Sequence, residues 1–193
     1  LYKTFGPHLG LLYGKKEILR KLPNQNHEFL EGDVPYTLNP GGPNHEELSC
    51  LIGVYEYFNN LYLHHFPGQD ASTRGKIEAV NELIAKHEME IANPLLDYIN
   101  TRDDINLIGK NKISNKDRAP TIAFTMNNKS SNELSSDLVQ QGIATRNDNF
   151  YAWRCLKALG IDTDDGVVRT SMVHYNTHED VKKLIEALKD IRG

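Results

Sequence analysis

From Ile77 to Ile99 the apolar residues Ile77, Val80, Leu83, Ile84, Ile91, Leu95 and Ile99 recur largely on one face of a single long helix. A stripe of that length needs a layer to bury it, so this stretch constrains the fold more than any other. Pro94 lies inside it and predicts a kink. Ahead of it, Leu48, Leu51, Ile52, Tyr55, Phe58 and Tyr62 have helical spacing from Glu46 onward, closed by His64-His65-Phe66-Pro67-Gly68. After Asn100 the elements shorten and alternate. Strands are expected at Ile105 to Ile108, Thr121 to Phe124, Ile143 to Thr145 and Val167 to His174, with helices near Asn132 to Gln140, Phe150 to Leu159 and His178 to Ile191. Thr177 followed by Asp180 has the spacing of a capping box. Strands interleaved with returning helices describe a small α/β domain, so the chain divides at the long helix into residues 1–90 and 91–193.

The first part carries weaker signals. Residues 9–13 form a short apolar run between Gly6-Pro7 and Gly14, which predicts a buried strand. Residues 23–44 are rich in Pro, Gly and Asn and read as one long loop. At 193 residues, 39 % of them hydrophobic, the chain is long enough to bury a core. A formal net charge of −4 without any Lys/Arg cluster argues against nucleic acid as a partner. The longest apolar stretches, such as Leu48 to Tyr55, are too short to span a membrane, and a cytoplasmic setting is the default expectation. Two cysteines, Cys50 and Cys155, make neither a disulfide framework nor a CxxC zinc site, and Cys155 reads as a packed helix residue. The adjacent His64 and His65 point about 100° apart on a helix and read as a solvated terminus, so no metal is expected.

Three places can carry chemistry. Lys3 lies in Tyr2-Lys3-Thr4-Phe5-Gly6-Pro7-His8, where burial beside a turn would lower an amine's pKa toward nucleophilic use; an ordinary surface lysine is the plain alternative. Gly41 and Gly42 lie in Asn39-Pro40-Gly41-Gly42-Pro43-Asn44-His45, a turn opening a helix, whose backbone N–H groups suit an anion or serve merely as a cap. Arg169, in Gly166-Val167-Val168-Arg169-Thr170-Ser171, is suited to bidentate capture of a carboxylate or to a structural salt bridge.

Taken in order, these segments resemble the C-terminal half of a class V aminotransferase or cysteine desulfurase-like enzyme that depends on pyridoxal 5'-phosphate (PLP). The resemblance rests on Tyr2 to Gly14, the glycine turn, Gly142-Ile143-Ala144, and Arg169-Thr170-Ser171 with Tyr175-Asn176-Thr177. It implies an α/β fold: the end of a fold type I PLP-binding large domain followed by a small C-terminal α/β domain. It also implies that Lys3 holds PLP as a Schiff base and shuttles protons, and that Arg169 binds the carboxylate of an amino-acid substrate. Gly41 and Gly42 would reach the phosphate of a partner's PLP across a homodimer interface. Two positions depart from the family pattern. Gly42 stands where a threonine is usual, and Tyr151 where desulfurases carry their cysteine, so a phenol replaces the thiol that would take sulfur. Those departures motivate an alternative, a non-catalytic relative that keeps the fold for dimerisation or scaffolding. The opening at Leu1 reads as a cut through a larger protein. On that expectation the chain alone lacks the partners of the pyridine ring and is inactive by itself.

Overall fold

The structure, a computed structural model, describes residues 1–39, 41–114 and 118–192. Pro40, inside the expected anion turn, lies outside the described residues. The chain forms two compact units, Leu1–Val80 and Asn81–Gly193.

In the first unit a 3-10 turn, Tyr2–Thr4, is followed by helix α1 (Lys16–Leu19), two further 3-10 turns at Glu28–Leu30 and Val34–Tyr36, and helix α2 (His45–His65). Residues 9–13 are not a strand. Leu11, Leu12 and Tyr13 are 73, 77 and 83 % exposed. An apolar run becomes a strand only when a neighbour takes its backbone hydrogen bonds, and among the described residues of this unit none does. The long loop is organised by Asn26, whose Nδ2 donates to the carbonyls of Tyr36 at 3.0 Å and Asn39 at 2.8 Å. It ends at Asn44, whose side chain accepts from the Glu47 amide at 3.0 Å and starts α2.

Helix α3 (Thr73–Ile99) carries the long apolar stripe and leads into the second unit, with Pro94 inside it. There strands β1 (Ile105–Ile108), β2 (Thr121–Met126), β3 (Arg146–Asp148) and β4 (Val167–Ser171) form one antiparallel sheet in the order β1-β2-β4-β3. Helices α4 (Ser131–Gln140), α5 (Trp153–Ala158) and α6 (His178–Asp190) complete the unit. Alternation along β2 turns Ile122, Phe124 and Met126 inward, where they meet Ile91, Leu95 and Ile99 of α3, Leu134 and Leu138 of α4, and Leu184 and Leu188 of α6.

Three sequence expectations shift for local reasons. The strand expected at Ile143 to Thr145 lies at Arg146–Asp148 instead. Gly142, at φ +77°, and Ile143 close α4: the Gly142 amide donates to the Val139 carbonyl and the Ile143 amide to that of Leu138, both at 2.9 Å. This is a Schellman ending, in which the apolar residue after the glycine packs back on the core, so Ile143 is spent on the helix. The helix expected from Phe150 begins only at Trp153, because Phe150 and Tyr151 sit at φ +51° and +61°, outside helical space. β4 stops at Ser171 rather than His174, since the Asn176 Oδ1 accepts from the Val173 amide at 2.9 Å and turns the chain away. The capping box of Thr177 and Asp180 forms as expected at the start of α6.

Candidate functional site

Lys3 lies in the opening 3-10 turn with its side chain in solvent and its Nζ 5.8 Å from the Tyr2 ring centroid. The turn is held to α2 by close packing. Phe5, at φ +60°, puts its ring 5.4 Å from that of Tyr57, and a Cβ at Gly6 would come within 2.9 Å of Val54. The ring of His8 stacks on Tyr2 at 4.9 Å. Thus the backbone around Lys3 is anchored while its amine is free of any carboxylate partner among the described residues.

Gly41 and Gly42 border a cleft of about 270 Å³ with Asn26, His27, Tyr36 and Asn39. Neither glycine is forced by crowding, for a Cβ at either position would meet nothing within 4 Å. The N-terminus of α2 follows at once and favours an anion through its free N–H groups. Glu46 and Glu47 in its first turn offset part of that field.

In the second unit Arg169 occupies the middle of β4, half-buried, with Ala123 opposite it on β2 and Arg146 opposite it on β3. Its guanidinium carbon lies 3.9 Å from the centroid of the Phe150 ring, and its Nε is buried without a hydrogen-bond partner. A buried, unpaired guanidinium nitrogen costs stability unless a ligand supplies the acceptor. The left-handed turn that aims Phe150 is braced by Asn149, whose Oδ1 accepts from the Tyr151 amide at 3.1 Å and whose Nδ2 donates to the Thr163 carbonyl at 3.3 Å. Tyr151 itself is fully exposed. Contrary to the sequence reading, Cys155 is exposed as well, because α5 turns only Leu156 inward.

The segment after β4 is structural. Asn176 closes its own turn and Thr177 caps α6, so neither side chain is free for a ligand. His87 of α3 meets the Asn176 carbonyl at 2.9 Å. Burial, helped by the charge of His87, holds His174 below the ordinary imidazole range. Burial likewise raises Glu88 above the ordinary carboxylate range, opposed by a backbone hydrogen bond from His174 and by His87. Among the described residues no group of three or more His, Cys, Asp or Glu side chains is placed to hold a metal, and no helix is long and apolar enough to cross a membrane.

Phe150 and Arg146, the neighbours of Arg169, were not singled out by the sequence reading. Phe150 reaches Arg169 only through a turn whose positive φ values leave no sequence pattern, and Arg146 acquires its neighbour from strand register.

Comparison with known proteins adds the relationship. The chain is 31 % identical over 192 residues to an aminotransferase-like protein of Gibberella zeae, covering 97 % of this chain and 44 % of that one. It is 28 % identical to a cysteine desulfurase-like protein of Aspergillus flavus, covering 98 % of this chain and 40 % of the relative. The chain therefore spans less than half the length of these relatives. Among solved structures it superimposes on the cysteine desulfurase CsdA of Escherichia coli with a TM-score of 0.68 at 23 % identity, covering 97 % of this chain and 43 % of that one. With the apo cysteine desulfurase of Thermococcus onnurineus the TM-score is 0.57 at 18 % identity, over 81 % of this chain and 33 % of the other. These likenesses show the fold, that of the C-terminal portion of fold type I. A model of the aminotransferase class-V family matches residues 76–184, more than half of the chain, and the chain belongs to that family.

Proposed function

We propose that this chain is the C-terminal part of a PLP-dependent enzyme acting on an α-amino acid, with Lys3 as the residue that carries the cofactor and Arg169 as the anchor of the substrate carboxylate. The observation that carries the reading is the buried Nε of Arg169, which lacks an acceptor on a half-buried strand arginine. A substrate carboxylate supplies that acceptor in a geometry to which a guanidinium is matched.

The residues also fit the cofactor. Lys3 offers a primary amine without a competing carboxylate, on a backbone fixed by Phe5 and Gly6. Gly41 and Gly42, ahead of the α2 N-terminus, offer N–H groups for a phosphate, which in a homodimer would belong to the partner's cofactor. PLP, when bound, acts as an electron sink that weakens the bonds at the substrate's α-carbon. Within the chain, Arg169 orients the substrate, and the Phe150 ring excludes water from the guanidinium. The Lys3 amine, once freed, gives or takes the proton at the reacting carbon.

Tyr151 bears on the reaction. Its phenol cannot accept sulfur as a thiolate does, so transamination or another thiol-free reaction on the amino acid is favoured over desulfuration by the usual route. The test is borohydride reduction of the protein purified from its native source, followed by peptide mapping of any PLP adduct. Fixation on the peptide holding Lys3, abolished by Lys3→Ala, is expected. No adduct on that peptide removes the enzyme reading and leaves the alternative, a relative that keeps the fold for dimerisation or scaffolding.

A further inference from the structure

Arg169 does not stand alone on its face of the sheet. The antiparallel register of β3 on β4 sets Arg146 directly opposite it. Directly opposed residues on such a ladder project from the same face with Cβ atoms about 4.5–5.5 Å apart, and like charges so placed repel. Both side chains are guanidinium cations. No carboxylate neutralises either one among the described residues. Asp148 shares the strand and face of Arg146, but its Oδ1 accepts from the Asn149 amide at 2.6 Å, in the turn that follows. The Phe150 ring, 3.9 Å from the guanidinium carbon of Arg169, removes water from that cation without offering it an oxygen. Thus one half-buried and one exposed arginine face each other across a ladder, on the side of the sheet away from the core residues Val168 and Ile122.

Such a pair is stable when one molecule brings an anionic group to each cation. We propose that Arg146 and Arg169 together receive the two acidic groups of a short dicarboxylic α-amino acid, with Arg169 taking the α-carboxylate and Arg146 the side-chain acid. This deepens the amino-acid reading above and rests on it. Arg146 is the specificity-determining residue of the pair: being exposed on the edge strand, it leaves binding of the α-carboxylate intact when replaced and loses only the acidic side chain.

The test is a titration of the full chain without PLP, followed through the side-chain Nε–H resonances of Arg146 and Arg169, with L-aspartate, succinate and L-alanine as probes. L-aspartate and succinate are expected to shift both resonances and to bind roughly tenfold or more tightly than L-alanine, as one added charge-assisted hydrogen bond allows. Arg146→Gln should erase that preference and leave L-alanine binding unchanged. Equal binding of L-alanine and L-aspartate, or an intact preference in Arg146→Gln, overturns the proposal. The wild-type resonances report independently of whether the variant folds. Failure of PLP to load on Lys3 with the dicarboxylate preference intact would remove the enzyme reading alone and leave the paired-anion site standing.

Discussion

Gly166 lets the end of β3 lie close against the start of β4. It sits at φ +75°, and a Cβ there would lie 2.3 Å from the carbonyl carbon of Asp148, the last residue of β3. Two penalties then add for Gly166→Ala: a left-handed backbone that an L-residue resists, and a collision with main chain that cannot move aside. We expect a loss of about 2 kcal/mol or more, read as a lower urea midpoint, because each penalty is of order 1 kcal/mol. Gly41→Ala and Gly42→Ala provide the contrast. Both positions are open and neither has a positive φ, so both substitutions should stay within about 0.5 kcal/mol of the wild type. Equal destabilisation at all three positions would refute this account of Gly166. At this scale Arg169 was legible because it falls in a short motif. Arg146 was not, for its place opposite Arg169 comes from strand register with a residue far along the chain. Cys155 was misread because a helix position says nothing of which face is buried when the helix is only one and a half turns long.

Among the elements, α6 depends on a residue outside it. Arg102, its side chain 8 % exposed, clasps Asp104 through Nε at 2.6 Å and Nη2 at 2.5 Å. Its remaining donors go to the Tyr98 hydroxyl and to the carbonyls of Leu188 and Ile191 at the end of α6. The carboxylate of Asp104 is the main reason that this guanidinium is held still further above its ordinary pKa, so the Arg102 side chain stays charged throughout the accessible range. One side chain therefore joins the end of α3, the start of β1 and the otherwise open carbonyls of α6. Arg102→Met keeps the packing stem but strands the carboxylate and the carbonyls. It should cost about 3 kcal/mol, seen as a drop in thermal midpoint, whereas a loss below about 1 kcal/mol would show a merely superficial pair. The helices themselves were readable: α3 and α6 follow from their apolar stripes, and α6 from its cap as well. β3 was not, since three polar residues carry no alternation and the apolar Ile143 nearby closes α4 instead. The run at residues 9–13 reads as a strand by composition, but a strand is a property of a pair, and no sequence states which neighbour will be there.

For the whole molecule, burial is unequal between the two units. In Leu1–Val80 the buried side chains among the described residues are Thr37, Tyr62 and Val80, while the contiguous apolar core belongs to Asn81–Gly193. The family match at residues 76–184 falls almost entirely on that second unit, where the packing that specifies the fold is concentrated. Opening free energies should follow the same division, since local stability tracks buried apolar contact. Native-state hydrogen exchange is expected to find the slowest amides at Ile122, Phe124 and Val168 of the sheet and at Leu138 and Leu188 of the helices over it, all of them inaccessible to solvent. The amides of Leu11, Leu12 and Tyr13 should exchange near the rate of an unfolded chain, because they belong to no ladder and their side chains lie in water. The turn around Lys3 should fall between these extremes, held by Phe5 and Gly6 against α2 but by little else. Protection at residues 11–13 equal to that of β2 would mean that the run has found a strand partner, and the amine of Lys3 would then sit on a far more rigid base than the first unit alone provides.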